Sequence, residues 1–301
     1  MRITRRQFLA TTAGVAATAT AAVAGWIVPA KSAPVAGAAH RYRVGGCDWI
    51  MLKRQKVGGV KLAAELGLDG LEVDMGGLGD RPRFDNQLRN PDVRMQYFDA
   101  CREHGIEICS IAASAFYAQS YADHPAADAC TEDWIETMVL MNVRVGFLPM
   151  GVRADVKNDA ATRRKVVNRL RRYAPAAEQA GVVLGVETPL SSEEYLRFFE
   201  EVGSPAVQVY YDCAGRLDAG ADIYAELRQL GQAGRLCQIH STDKDGKLLK
   251  DSRIDLRQLK AALDDIGYRG WLVLERSRVS GKTMKQDFAA NAALLKSVFQ
   301  T

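Results

Sequence analysis

Residues 166–187, VVNRLRRYAPAAEQAGVVLGVE, decide the fold of this chain. The first part of the segment places apolar residues at the i, i+3, i+4 and i+7 spacing of an amphipathic helix. Gly181 is predicted to end that helix, because glycine adopts the left-handed conformation of a helix C-cap without strain. The apolar run after it leads to Glu187 and is typical of a buried strand. One helix followed at once by one strand indicates a parallel α/β sheet.

The same alternation of short apolar runs and helical patterns continues from residue 42 to the end of the chain. Gly67, Gly105 and Gly267 precede strands in the same way as Gly181. Eight strands of this kind predict the α/β class and a (β/α)8 TIM barrel, which we place over residues 39–301. The predicted strands span residues 44–48, 70–74, 107–111, 144–148, 182–187, 207–212, 236–240 and 271–275.

The charge of the chain is concentrated at its N-terminus. The 301 residues are 48% hydrophobic, which excludes a disordered protein, and they include 40 basic and 36 acidic residues. Arg2, Arg5, Arg6 and Lys31 lie in the first 40 positions, which contain no acid, so 36 basic and 36 acidic residues remain elsewhere. Because the chain after residue 40 is formally neutral, it does not attract the phosphate backbone of a nucleic acid, and we expect no nucleic-acid partner.

The N-terminus carries a twin-arginine pattern, TRRQFL at residues 4–9, before a mildly apolar stretch rich in alanine and threonine. We interpret residues 1–38 as a signal peptide, with Arg5 and Arg6 recognised by the twin-arginine export machinery. Cleavage is expected near AGA at 36–38 or AKS at 30–32. The mature protein would then work in the periplasm or otherwise be exported. A basic arm before a buried alanine-rich helix is the alternative.

Four strands in the second half of the chain end in a residue that can bind a metal: Glu187, Asp212, His240 and Glu275. Strand carboxyl ends lie together on one face of a barrel. A carboxylate that closes an apolar run is costly to bury alone, so we expect the four groups to converge on one divalent cation. Such ligands suit Mn²⁺, with Mg²⁺, Co²⁺, Zn²⁺ or Fe²⁺ as alternatives. A structural network of ion pairs is the competing interpretation for the set, and a strand-end carboxylate taken singly could instead be the N-cap of the next helix.

Further side chains at strand ends are candidates for substrate binding. Glu72 lies two residues before the end of the second strand, and a structural role is its alternative. Trp49 follows the first strand, and Phe116 and Tyr117 follow the third; these aromatic residues could form a flat platform for a ligand. Arg276 follows the eighth strand, where it could clamp a ligand hydroxyl.

Several strand-end segments resemble the sugar phosphate isomerase/epimerase family, whose members have a xylose isomerase-like TIM barrel. These segments are GVVLGVE at 181–187, YD at 211–212, HSTD at 240–243 and GYRGWLVLE at 267–275. The resemblance covers residues 42–299. It implies that Glu187, Asp212, His240 and Glu275 bind one divalent metal. It also implies that Glu187 and Glu275 are the acid/base pair of a proton transfer next to a carbonyl, without an organic cofactor.

At two positions the residue differs from the one that this family often has. Thr242 stands where the family often has lysine, and Gly215 where it often has histidine or asparagine. Exported enzymes rarely meet sugar phosphates, so the expected substrate is an unphosphorylated sugar. The chain is therefore expected to be an exported, metal-dependent sugar isomerase or epimerase, whose partner is a small carbohydrate and for which an oligomer is a possible state.

Three other functions are weighed against this one. A 3-keto-glycoside lyase or hydrolase could use the same metal site, because removal of a proton beside a 3-keto group also permits elimination. A non-catalytic carbohydrate-binding barrel would bind metal without turnover. Apurinic endonucleases share the superfamily but hold several zinc ions with many histidines, whereas this chain has four histidines, so DNA repair is not expected.

Overall fold

Eight parallel strands close into a barrel in the computed structural model, which describes residues 41–151, 153–243, 249–275 and 281–301. Each strand pairs with the next along the chain, and the last pairs with the first. The strands are β1 Tyr42–Cys47, β2 Gly70–Asp74, β3 Glu107–Ala112, β4 Val145–Pro149, β5 Val183–Glu187, β6 Val207–Asp212, β7 Leu236–His240 and β8 Gly270–Leu274. The predicted TIM barrel is therefore confirmed. The predicted signal peptide, with Arg5 and Arg6, lies outside the described residues.

Helices alternate with these strands along the chain. They are α1 Gly58–Glu65, α2 Pro91–His104, α3 Ala127–Leu140, α4 Ala160–Ala180, α5 Ser192–Val202, α6 Cys213–Asp218, α7 Ile223–Gln232, α8 Leu256–Asp265 and α9 Met284–Phe299. Within the ranges given above, none of these helices has the length and apolar character that crossing a membrane requires.

The segment that predicted the fold forms α4 followed by β5. Asp159 begins the helix by accepting a hydrogen bond from the backbone N–H of Ala161 at 2.9 Å. Gly181 ends it in the left-handed conformation, with φ of 68°. The buried residues of the helix are those of the predicted stripe, Val166, Val167, Leu170, Tyr173, Ala174 and Ala177. Local sequence and tertiary packing therefore agree at this point of the barrel.

Two strands have bounds that differ from the prediction in ways that matter for the site. β1 begins earlier, at Tyr42, because the buried Tyr42 ring packs edge-on against Phe299 and its hydroxyl donates to Asp264 at 2.6 Å. β8 ends at Leu274, so Glu275 is the first residue after the strand. Glu275 can therefore project from the carboxyl end of the barrel, where its chain is no longer held by ladder hydrogen bonds.

Gly146 on β4 is required by the packing of Trp134 on α3. A Cβ atom at position 146 would lie 2.3 Å from Trp134 Cζ2, and the buried indole cannot easily move because its Nε1 donates to the Ile111 carbonyl at 2.8 Å. We expect Gly146→Ala to lower the free energy of unfolding by about 1–3 kcal/mol in urea denaturation. Gly58→Ala is the matched control, since nothing lies within 4 Å of that Cβ position. Equal stability of the two variants would contradict this account.

Candidate active site

His240, the last residue of β7, is the centre of a cluster of carboxylates. Its side chain is fully buried. The Nδ1 atom lies 3.3 Å from Glu187 Oε2 and 3.4 Å from Glu275 Oε2, and the Nε2 atom lies 3.3 Å from Glu72 Oε1. One donor atom each from Glu187, His240 and Glu275 lies within 4.8 Å of the other two. The structure therefore brings together three of the four predicted metal ligands.

Hydrogen bonds to the main chain of Glu187 and Glu275 fix the positions from which these two carboxylates project. The Glu187 carbonyl accepts the backbone N–H of Met150 at 2.8 Å, which fixes the end of β5 against the chain that follows β4. The backbone N–H of Glu275 donates to the Thr242 hydroxyl at 3.3 Å. Thr242, one of the two departures from the family pattern, thus ties the residue after β8 to the chain after β7.

The electrostatics of the cluster favour bound protons or cations. Burial raises the pKa of Glu187 to about 8. A hydrogen bond with His240 lowers this pKa, but the negative charges of Asp212 and Glu275 raise it further. Burial by itself lowers the pKa of His240, but the carboxylates of Glu275, Glu72 and Glu187 together raise it well above its usual range. Both groups therefore hold protons more tightly than in water.

This donor set fits a divalent metal. With every group ionised, three carboxylates against one imidazolium leave a formal charge of −2 around His240. A buried excess of negative charge is costly unless a cation balances it. Carboxylate oxygen and imidazole nitrogen are ligands that Mn²⁺, Mg²⁺, Co²⁺, Zn²⁺ and Fe²⁺ accept, so Glu187, His240 and Glu275 could hold any of these ions.

Asp212, the fourth predicted ligand, lies next to the cluster and also begins a helix. Its Oδ1 and Oδ2 atoms each accept a backbone N–H, from Ala214 and Gly215 respectively, both at 3.0 Å. These bonds cap the short helix α6. Each carboxylate oxygen retains a second lone pair, so capping does not prevent Asp212 from binding a metal. A side chain at Gly215 would begin 2.9 Å from Asp212 Oδ2, so glycine keeps this carboxylate accessible.

Glu72 lies on the opposite edge of the imidazole from Glu187 and Glu275. It is fully buried, and its Oε2 atom accepts hydrogen bonds from the hydroxyls of Ser110, at 2.5 Å, and Tyr210. From the sequence, Glu72 is a candidate for substrate binding, with a structural role as the alternative. Because these contacts are internal and the side chain is closed to solvent, the geometry favours the structural alternative.

A cavity of about 240 Å³ opens beside the cluster. It is lined by Trp49, Arg54, Ser114, Tyr117, Phe147, Pro149 and Glu275. The Trp49 ring stacks on Phe147, with centroids 6.2 Å apart and planes 5° from parallel. The cavity therefore joins the Glu275 carboxylate to the predicted aromatic residue Trp49.

Phe116, Tyr117 and Arg276 are the remaining residues that were predicted to bind substrate. Phe116 is 1% exposed and packs edge-on against Phe84 and Tyr121, while its neighbour Tyr117 lines the cavity instead. The structure thus places Phe116 in the core, because adjacent residues of the turn Ser114–Tyr117 point to different sides. Arg276 lies outside the described residues, so its predicted role stays a prediction.

Sequence reasoning missed Arg54 and Cys47. Arg54 lines the cavity and forms an ion pair with the buried Asp74, with Nε and Oδ1 3.6 Å apart. In the sequence, the only indication that Arg54 belongs to the site is its position shortly after β1. Cys47 Sγ lies 3.6 Å from Glu72 Oε1 and 3.9 Å from His240 Nε2, but a cysteine in an apolar run is read as core.

A second cavity, of about 250 Å³, lies at the amino ends of the strands, where its lining includes Val145, Val183 and Leu236. Its lining contains no member of the His240 cluster. Active sites of TIM barrels lie at the carboxyl ends of the strands, and the charged cluster is there. We therefore assign the candidate site to the cavity beside Glu275.

Comparisons with known sequences agree with the fold. The family described as xylose isomerase-like TIM barrel matches residues 60–298. A 2-epi-5-epi-valiolone 7-phosphate 2-epimerase from Actinoplanes sp. is 26% identical over 198 residues, which are 62% of this chain and 68% of that protein.

Solved structures resemble the same barrel. A D-psicose 3-epimerase from Clostridium cellulolyticum H10, solved with D-tagatose, has a TM-score of 0.64 and 19% identity, with 85% of this chain and 99% of that chain covered. A 3-keto-D-glucoside 4-epimerase from E. coli has a TM-score of 0.65 and 15% identity, with 86% and 99% covered. At such identities the likeness establishes a common fold alone.

Proposed function

This chain belongs to the xylose isomerase-like TIM barrel family, and from that premise we propose that it is a divalent metal-dependent sugar isomerase or epimerase. The observation that carries the proposal is the convergence of Glu187, His240 and Glu275 within 4.8 Å, at the edge of a cavity. We propose Asp212 as a fourth ligand and Mn²⁺ as the metal. The epimerases to which the chain is similar support the same class of reaction.

The residues of the cluster are suited to moving a proton next to a carbonyl group. A bound divalent cation would polarise the carbonyl of a substrate and so acidify the neighbouring C–H bond. One of the carboxylates Glu187 and Glu275 then removes that proton, and the other returns a proton to the opposite face or to the adjacent atom. Without a metal, burial raises the pKa of Glu187 to about 8, whereas a bound cation would favour the ionised carboxylate that can accept a proton. His240 is enclosed between the carboxylates and helps to hold the cation.

We propose a small unphosphorylated sugar as the substrate. The aromatic pair Trp49 and Phe147 provides apolar surface for the C–H face of a sugar ring, and Ser114 and Arg54 provide polar groups for its hydroxyls. The Actinoplanes relative is named for a phosphorylated substrate. Our choice of an unphosphorylated substrate rests on export by the twin-arginine route, which would remove the enzyme from the sugar phosphates of the cytosol.

Export is itself a proposal, carried by the TRRQFL pattern and the acid-free stretch 1–38. We expect replacement of Arg5 and Arg6 together by lysine to retain the protein in the cytoplasm, because the charge is kept but the arginine pair is lost. Immunoblots of periplasmic and cytoplasmic fractions measure this. Conversion of Arg2 to lysine is the control and should leave export unchanged. Periplasmic recovery of the double variant at the level of the unaltered protein would contradict the twin-arginine assignment.

The proposed reaction can be tested by exchange with solvent. The Mn²⁺-loaded protein is incubated in D₂O with a panel of free sugars, their phosphates and 3-keto-glycosides, and the products are examined by NMR and mass spectrometry. Deuterium at a carbon next to the carbonyl of a free sugar, without loss of a bond, is the expected result. Exchange on phosphates alone would contradict the proposed substrate, and release of an aglycone would replace the isomerase with a lyase. If no compound of the panel exchanged deuterium or released a product, a non-catalytic carbohydrate-binding barrel would be favoured.

A further inference from the structure

Glu72 is held in a single orientation by donors on two other strands, which a residue of a third strand supports. Its Oε2 atom accepts from Ser110 of β3 and Tyr210 of β6. Gln238 of β7 stabilises both donors, because its Nε2 atom lies 2.9 Å from the Ser110 hydroxyl and 2.8 Å from the Tyr210 hydroxyl. The Oε1 atom is thereby aimed at His240 Nε2, at 3.3 Å. This network fixes a buried carboxylate behind the imidazole.

The imidazole ring is fixed as well. The rings of Tyr210 and Phe147 pack against it, with centroids 4.5 and 4.7 Å away. A ring packed in this way cannot exchange its two nitrogens without displacing its neighbours. The Nε2 atom therefore stays with Glu72, and the Nδ1 atom stays with Glu187 and Glu275.

We propose that Glu72 is a positioning residue, whose carboxylate accepts a hydrogen bond from the Nε2–H group of His240 and so reserves Nδ1 for the metal. This inference rests on the proposed function, since it assigns a role toward the metal of the same site. A carboxylate bonded to the remote nitrogen of a metal-binding histidine fixes its tautomer and makes the other nitrogen a better ligand. Glu72 acts through His240 and does not itself contact the substrate.

Cys47 provides the competing arrangement. Its Sγ atom, Glu72 Oε1 and His240 Nε2 also lie within 4.8 Å of one another, and a thiolate in this set would suit Zn²⁺. A metal there would need Nε2 without its proton, so the two arrangements exclude each other. All three side chains are fully buried, whereas those of Glu187 and Glu275 are each 14% exposed. Catalytic metals keep an open position, which favours the Nδ1 side.

The nitrogen that binds the metal can be observed directly. The full chain is labelled with ¹⁵N-histidine, and spectra are recorded before and after addition of Zn²⁺, a diamagnetic probe. The chain has four histidines, and a His240→Gln variant identifies the resonances of interest. We expect the Nε2 atom of His240 to carry a proton in both states and the Nδ1 resonance to shift on addition of Zn²⁺. Loss of the Nε2 proton on Zn²⁺ binding would overturn the proposal.

A pair of variants separates positioning from structural support. Glu72→Gln keeps the size of the side chain but removes its charge, and we expect it to raise the dissociation constant for Mn²⁺ by about 10- to 100-fold. Glu200→Gln removes the same charge at an exposed position of α5, outside this network, so it should leave that constant unchanged. Unaltered Mn²⁺ affinity in Glu72→Gln would overturn the proposal.

The experiments distinguish a wrong assignment of Glu72 from a wrong proposed function. An unaltered protein that binds no divalent metal would contradict the proposed function. In that case ¹⁵N spectra of the metal-free protein, recorded at a pH at which His240 is neutral, still decide whether its remaining proton is on Nε2, as positioning by Glu72 requires. If Glu72→Gln does not fold, the spectra of the unaltered chain decide the same point.

Discussion

Glu275→Gln is expected to reduce kcat for deuterium exchange into the substrate by about 100- to 10,000-fold while the barrel stays folded. Glu275 lines the cavity and lies 3.4 Å from His240 Nδ1, so its carboxylate reaches both the proposed substrate and the proposed metal. An amide has nearly the same shape but cannot accept the proton. Glu187→Gln should have a loss of the same order, because Glu187 is the second member of the acid/base pair. Mass spectrometry of sugar incubated in D₂O measures both.

The matched control for these variants is Glu200→Gln. Glu200 is an exposed residue of α5, and its replacement removes the same charge outside the site. It should leave exchange at the level of the unaltered protein, and circular dichroism should show all three variants folded. Unchanged exchange in either Glu275→Gln or Glu187→Gln would refute the assignment of that residue to the acid/base pair.

Removal of divalent metal is expected to abolish exchange, and Mn²⁺ is expected to restore it. The physical reason is the formal charge of −2 around His240, which leaves the carboxylates either protonated or repelling one another. The measurement is the rate of deuterium incorporation after dialysis against a chelator and again after addition of Mn²⁺. Full activity in a preparation shown by elemental analysis to lack divalent metal would contradict metal dependence.

A stability measurement provides the control for the chelation experiment. A ligand that binds only the folded state stabilises it by about 2.7 kcal/mol at 100 times its dissociation constant. Mn²⁺ should therefore raise the Tm of the unaltered protein. It should have little effect on His240→Asn, which lacks the imidazole between the carboxylates. If Mn²⁺ raised both Tm values equally, the ion would be binding outside the cluster.

The strands that end at the site could be predicted well from the sequence. β6 and β7 have the predicted bounds, because Asp212 and His240 each close an apolar run after a residue pattern typical of a strand. The helix stops at Gly105 and Gly181 were also predicted, and both glycines adopt the left-handed conformation. Local chemistry decides these features, so they can be identified without tertiary information.

Features that depend on closure of the barrel could not be predicted in the same way. Residues 47, 72 and 240 are far apart in sequence, and their contact follows from the position of β1, β2 and β7 around one interior. Phe116 and Tyr117 are adjacent aromatic residues, and only packing decides which of them faces the cavity. An N-cap was one alternative for each strand-end carboxylate, but the helix that Asp212 caps, α6, has six residues and no amphipathic pattern to single this residue out.

Calorimetric titration of the metal-stripped protein with Mn²⁺ tests the central claim most directly, since that claim is one metal site built from Glu187, His240 and Glu275. We predict a single binding event for the unaltered chain, strongly weakened in Glu187→Gln, His240→Asn and Glu275→Gln and retained in Glu200→Gln. Absence of binding in the unaltered chain, or equal binding in all four variants, would contradict the account.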